Sequence, residues 1–157
     1  MPRAKETLTI TTPAGEDAED IGEIRDIVGF HLRLAHGAVY RHFTETFTDL
    51  GLTQKQVSVL WLVDDHPGIA QTGLSQRMRM DRATTMAIVN RLEARDLLVR
   101  GPSPTDGRKQ ALTLTEAGKA MLATAKEAIR AHEDWLKSRY TAREVALLVE
   151  LLTRLHE

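Results

Sequence analysis

The chain has 157 residues and no cysteine, which removes disulfides, thiolate nucleophiles and cysteine-ligated zinc together. Aromatics are scarce, with three Phe, two Tyr and two Trp, so the core must rest on Leu, Val, Ile, Ala and Met. No apolar run approaches the ~18 residues of a membrane span. Residues 1–26 are polar and acidic where a signal peptide would be apolar, so a cytoplasmic location is expected and no membrane partner. The chain also lacks a glycine-rich phosphate loop and an HExxH metallohydrolase motif. Ser58, Ser75, Ser103 and Ser138 have no nucleophile-elbow residues around them. These absences argue against an enzyme, and no cofactor is expected.

What is present is an uneven distribution of charge. The net charge is −1, yet residues 74–109 hold Arg77, Arg79, Arg82, Arg91, Arg95, Arg100, Arg108 and Lys109 against Asp81, Glu93, Asp96 and Asp106. That segment is therefore +4 and the remainder −5. A basic middle on an acidic chain suggests one face for a polyanion, although a solvated helix surface would carry charge as well.

The length fits one domain with a real core. Residues 1–19 form an acidic tail, and helical periodicity begins near Asp20 and runs to about Asp49. On a wheel, Ile24, Ile27, Val28, His31, Ala35, Ala38 and His42 make one stripe, while Leu32, His36, Val39, Phe43 and Phe47 make a second. A helix apolar on two sides needs two partners, such as its own domain and another subunit. "GLTQKQVSVLWLV" has a capping box at Thr53 and Gln56, so a helix follows from 54 to about 64. "QTGLSQRMRM" and "DRATTMAIVNRLEARD" read as two short helices separated near Met80-Asp81, with Asp81 as N-cap of the second. "LLVR" and "QALTLT" read as strands around the loop "GPSPTDGRK", with Leu112 and Leu114 on one face. Two helices close the chain, one opening after Thr115 and one at a capping box from Thr141 to Glu144.

This order predicts a mainly α fold with a small β-hairpin wing on a helix-turn-helix. The organisation is a helix over 20–50, a winged helix-turn-helix lobe over 51–115, and helices over 116–157. In such a unit the second helix enters the major groove of DNA. With Ile88 and Leu92 as the inner line of the 81–96 helix, Thr85 and Val89 flank them, while Ala83, Met86 and Asn90 point away. Arg82, Ala87 and Glu93 lie at the sides. Small and apolar groups with one amide and flanking cations suit base edges, where Ala and Met touch thymine methyls and Asn90 pairs with adenine. The alternative is that Met86 belongs to the core or to a subunit contact. Arg77, Arg79 and Thr84 are placed for phosphates, and Arg91 joins the DNA-facing set. In the loop, Gly107 supplies turn geometry, and Arg108 and Lys109 project toward an adjacent minor groove, whose negative potential attracts Arg. An ordinary solvated Asp-Gly turn is the rival reading.

The run from Gly51 to Met121 resembles the MarR family of winged-helix transcriptional regulators. The matching pieces are "GLTQKQVSVLWLV", "GLSQRMRMDRATTMAIVNRLEARDLLVR", the Asp-x-Arg wing "SPTDGRK", and "LTLTEAGKAM". The resemblance implies a homodimer joined through its first and last helices and bound to double-stranded DNA at a pseudo-palindromic operator. It also implies release by a small effector, an aromatic acid, a phenol or an aromatic acyl thioester, bound between those helices and the DNA-binding lobe. Two positions depart from the family pattern: Met86-Ala87 stand where a polar residue or Arg is common, and Asp96 stands where Gly usually ends the reading helix.

His31, Arg33, His36 and Trp61 are the candidate effector residues, since a cation in an otherwise apolar helix calls for an anion. Two other readings of the histidines stand beside this one. They can be buried groups satisfied by neighbours, or His31, His36, His42, His66 and His132-Glu133 can serve a zinc-responsive regulator of the same fold. No pair has the i, i+4 spacing that sets two imidazoles on one metal within a helix, and no metal residue is assigned. A winged helix that binds protein instead of DNA is a third class, which the basic segment 74–109 opposes.

Overall fold

A computed structural model describes residues 21–103 and 105–157. The tail expected over 1–19 lies outside the described residues, as do Asp20 and Pro104. The described chain falls into two units divided between Ala35 and His36.

In the first unit a 3₁₀ turn, Gly22–Asp26, precedes Ile27, whose extended backbone (φ −88°, ψ 110°) interrupts the helix. Helix α1 (Val28–Phe47) starts only after it. The expected continuous helix from Asp20 is thus corrected to a start at Val28. Gly22 stands at φ 66°, and this glycine beside three closely spaced isoleucines is a weak helix former. The Ile27 carbonyl accepts from the amides of Phe30 and His31 at 3.0 and 3.4 Å, so Ile27 opens α1 without a side-chain cap. Ile24, Ile27, Val28 and Leu34 remain exposed.

The second unit follows the predicted order closely. Its elements are the end of α1, then α2 (Gln54–Asp65), β1 (Ile69–Ala70), α3 (Gln71–Met78), α4 (Arg82–Ala94), β2 (Leu98–Pro102), β3 (Gln110–Leu114), α5 (Glu116–Lys137) and α6 (Ala142–Thr153). Thr53 and Gln56 form the capping box, with Thr53 N–H donating to Gln56 Oε1 at 2.9 Å and Gln56 N–H to Thr53 Oγ1 at 3.3 Å. Thr141 and Glu144 repeat it ahead of α6, and the Thr141 N–H, then its hydroxyl, donate to Glu144 Oε2 at 2.7 and 2.9 Å and hold that carboxyl below its ordinary range.

Strand β1 has no counterpart in the sequence reading. It makes the hairpin a three-stranded antiparallel sheet in the order β1-β3-β2, with Ile69 opposite Leu112 and Ala70 opposite Ala111. Two residues carry no periodicity, so only Gly68 (φ 86°) marked the bend that lets β1 reach β3.

The core gathers Phe43 and Phe47, stacked at 4.0 Å, with Leu60, Leu74, Val89, Leu92, Leu98, Leu112 and Leu122. Leu112 is fully buried and Leu114 partly so, as the strand alternation predicts. Helix α6 buries none of its residues, and Leu147, Val149, Leu151, Leu152 and the following Leu155 stay exposed. No helix among the described residues is long and apolar enough to cross a membrane.

Two of the histidines meet inside this unit. His42 and His132 approach at 2.7 Å between their Nδ1 atoms, and His42 stacks on Trp135 at 3.9 Å. Both are satisfied by protein neighbours, and His132 is buried. Burial, then the charge of His42, lower the His132 pKa below 6.5, against an opposing pull from Glu133. A base with a depressed native pKa takes up its proton more readily when unfolded, so its contribution to stability is intact above pH ~6.5 and lost as pH falls. The melting temperature is therefore expected to drop between about pH 7 and pH 5.5, and His132→Phe to flatten that slope. Thermal denaturation across the range checks this, and parallel curves for the two proteins would refute it.

Candidate nucleic-acid interface

Helices α3 and α4 are joined by a tight turn that the sequence only partly announces. Arg79 ends α3 in the left-handed region at φ 48°, and its N–H and that of Met80 donate back to Gln76 and Ser75 at 3.2 and 3.1 Å. Asp81 then caps α4, its carboxylate accepting from Thr84 N–H at 2.8 Å and Thr84 Oγ1–H at 2.6 Å. The Thr84 hydroxyl, then its amide, hold the Asp81 carboxyl below the usual carboxylate range. Thr84, read from sequence as a phosphate contact, has its proton committed to this cap. Thr85 is fully buried, its hydroxyl donating to the Asp81 carbonyl at 3.0 Å.

The faces of α4 divide as the wheel implies. Thr85, Ile88, Val89 and Leu92 are buried, while Arg82, Ala83, Met86, Ala87, Asn90 and Arg91 are exposed. Met86 is 49% exposed, so it is not core. Asp96 ends the helix at φ 57°, in the left-handed cap expected where the family has Gly.

The wing is β2 and β3 in register from Leu98–Leu114 to Pro102–Gln110. Asp106 builds the turn at its tip: its Oδ1 accepts from Arg108 N–H at 3.1 Å and its carbonyl from Lys109 N–H at 2.9 Å. Gly107, expected to supply the turn geometry, has no left-handed φ, and a Cβ there would meet open space. Arg108 and Lys109 are exposed. Lys109 lies 3.9 Å from Asp106, and among the described residues no side chain pairs with the Arg108 guanidinium.

The structure sorts the cations of the basic segment. Arg95 donates to the Gly51 and Leu50 carbonyls at 2.8 and 3.3 Å, tying the end of α4 to the turn ahead of α2. Arg100 joins Glu93, Asn90 and Gln71. These two structural roles were not legible, since nothing in spacing separates a cation that braces a loop from one that faces solvent. Arg77, Arg79, Arg82, Arg91, Arg108 and Lys109 remain exposed. Arg79 also approaches His156 at 3.4 Å.

A cavity of 510 Å³ lies beside α4, lined by His36, Tyr40, Thr53, Gln54, Lys55, Gln56, Thr84, Ala87, Ile88 and Arg91. His36 and Tyr40 stack there with centroids 6.2 Å apart. Trp61, predicted with His36 as an effector residue, does not line it. Trp61 packs against the core with Lys126 Nζ 4.8 Å above its ring, and Lys126 reaches on to Asp64 at 3.2 Å. In the first unit His31 Nε2 is 2.6 Å from the Arg25 carbonyl, and the Arg33 guanidinium sits 5.3 Å from the Phe30 ring. Among the described residues no three His, Asp or Glu converge as a metal site.

The model of the MarR family matches residues 50–109, the span from the turn ahead of α2 to the wing tip. A putative transcriptional regulatory protein for the hcr operon of Thauera aromatica is 33% identical over 147 residues, covering 92% of this chain and 89% of that protein. The chain belongs to the MarR family. Its winged helix-turn-helix accordingly matches solved MarR-family structures. The transcriptional repressor CouR bound to a 23-mer DNA duplex superposes with a TM-score of 0.81 at 34% identity, over 87% of this chain and 96% of that one. CouR bound to p-coumaroyl-CoA superposes with a TM-score of 0.77 at 34% identity, over 88% and 99%.

Proposed function

We propose that this MarR-family protein is a sequence-specific, double-stranded-DNA-binding repressor, acting as a homodimer and released by a small aromatic acid, a phenol or an aromatic acyl thioester. The exposed stripe Ala83, Met86 and Asn90 on α4 carries this reading, because it is flanked by the exposed cations Arg82 and Arg91 and accompanied by a wing with Arg108 and Lys109 exposed at its tip. Arg77, Arg79, Arg82 and Arg91 serve the phosphates, α4 the major groove, and Arg108 and Lys109 the minor groove. The apolar side chains left in solvent at Ile24, Ile27 and Val28, and along α6, support subunit contacts through 20–50 and 116–157.

The cavity beside α4 supports the effector half of the proposal. Its stacked His36-Tyr40 wall suits an aromatic ring, Lys55 and Arg91 suit a carboxylate or the phosphates of a coenzyme A thioester, and Thr84, Ala87 and Ile88 belong to α4 itself. An occupant would therefore touch the reading helix directly. His31 and Arg33 stay in the proposal as residues whose variants are assayed beside these; Trp61 does not. That CouR is solved with DNA and with p-coumaroyl-CoA supports the same pairing.

Fluorescence anisotropy on selected duplexes tests it. Binding is expected to a pseudo-palindrome with half-sites about ten base pairs apart, and to weaken steeply with salt. Benzoate, a hydroxycinnamate or its coenzyme A thioester is expected to raise the melting temperature and release DNA. Lys55→Ala should blunt that release while keeping DNA binding. Control of binding by zinc and chelators alone would favour the metal-responsive alternative, and salt-independent binding would exclude the phosphate contacts.

A further inference from the structure

Asn90 is the one amide on the exposed stripe of α4, and it is not free to choose how it meets a base. Arg100, on β2, donates from Nη2 to Asn90 Oδ1 at 2.6 Å, and the same nitrogen lies 3.4 Å from Gln71 Oε1 at the start of α3. Its Nη1 is bonded to Glu93, one helical turn along α4. The Arg100 side chain is 19% exposed, and this partly buried side chain spans α3, α4 and the wing. Charge-assisted bonds of this kind are short and directional, and Arg fixes partners in a plane that Lys cannot.

Asn recognises adenine with both ends of its amide: Oδ1 accepts from the N6 amino group while Nδ2 donates to N7. Here a cationic donor already holds one of the two lone pairs of Oδ1, and the second lies beside it. A base amino group brought to it would face the guanidinium, donor against donor. Nδ2 lies at the other end of the amide and keeps its protons. Guanine offers N7 and O6 side by side as acceptors and no donor on that edge.

We infer that Arg100 is a positioning residue that turns Asn90 from an adenine reader into a donor-only reader, and that Asn90 selects guanine at one operator position. The inference rests on the DNA-reading role proposed above and replaces the adenine pairing that the sequence suggested. Glu93 completes the device by neutralising Arg100, and Arg100 in turn screens an acidic group that would otherwise face the DNA.

Anisotropy on duplexes carrying each base pair in turn gives the preference at every position. Asn90→Asp keeps an acceptor for Arg100 and removes the donor, so the position it flattens is the one Asn90 reads. Wild-type protein is expected to prefer guanine there by about tenfold, and to lose most of that preference with 2-aminopurine, which keeps N7 but has no O6. Arg100→Met retains the apolar stem, releases Oδ1, and is expected to move the preference to adenine. In the Asn90→Ala background the Arg100 change should leave the base profile unaltered, which separates positioning from folding; melting curves confirm that each variant is folded. Three results overturn the inference: adenine preferred by the wild type at that position, no position flattened by Asn90→Asp, or a uniform loss in Arg100→Met with the profile unchanged. Failure of the wild type to bind any duplex at low salt would instead remove the DNA-binding proposal itself.

Discussion

Gly118→Ala is expected to be the most destabilising small substitution in the lobe. Gly118 lies in the first turn of α5, three residues past the cap Thr115, and is buried where that turn crosses the base of the wing. A Cβ at Gly118 would stand 1.8 Å from the Leu97 carbonyl oxygen and 2.8 Å from its carbon, and both are backbone atoms with no rotamer to yield. The carbonyl cannot retreat freely, because it accepts from Thr115 N–H at 3.2 Å. Thr115 Oγ1–H also donates to the Asp96 carbonyl at 2.6 Å and accepts from Gly118 N–H at 2.9 Å. Ala is the better helix former by ~1 kcal/mol, but a 1.8 Å clash with fixed backbone lies at or beyond the upper end of overpacking costs, about 3–4 kcal/mol, leaving a net loss of about 2–3 kcal/mol. For a chain of this size the melting temperature should fall by roughly 4–12 °C. Gly107→Ala, where no atom lies within 4 Å, is the control and should change little. Equal melting of the two variants would show that the α5–wing junction relaxes where it is described as rigid.

Arg108→Ala should have the largest effect on DNA binding with the least effect on the fold. Its guanidinium is exposed at the wing tip, and only its backbone takes part in the turn, through the bond to Asp106. Removing one phosphate or minor-groove cation should lower the salt slope of binding by about 1 and weaken affinity roughly tenfold at moderate salt. Arg108→Lys separates two causes. It should restore the salt slope, since charge is kept, but not a preference for narrow A-tract minor grooves, which rests on the guanidinium. Titrations at several salt concentrations with duplexes differing in flanking A-tracts distinguish them. Unchanged affinity and slope in Arg108→Ala would place the wing off the DNA.

Helix existence, caps and faces were legible because each rests on a local rule. Thr53-Gln56, Asp81, Thr115 and Thr141-Glu144 cap where expected, and the inward line of α4 is buried residue for residue. Asp96 in the left-handed cap followed from the family pattern at that position. What was not legible depends on distant partners or on segments too short for a period. Strand β1 exists because β3 offers it an edge. Arg100 and Arg95 looked like the other cations of the basic segment until their acceptors were in view. Gly107 looked like the turn-maker, but the turn is made by the carboxylate and carbonyl of Asp106. Trp61 looked like a ligand wall, yet the cation it meets is Lys126 of α5.

The short strand β1 has a mechanical meaning. Its two residues, with Gly68 N–H donating to the Leu112 carbonyl at 2.9 Å, fasten the link between α2 and α3 to the central strand of the wing. Arg100 adds a second fastening from the wing to α3 and α4. Helix α4 and the arm are thus tied at two places to the same framework, and in the proposed mode of DNA binding a shift of the α2–α3 link would carry both groove contacts together.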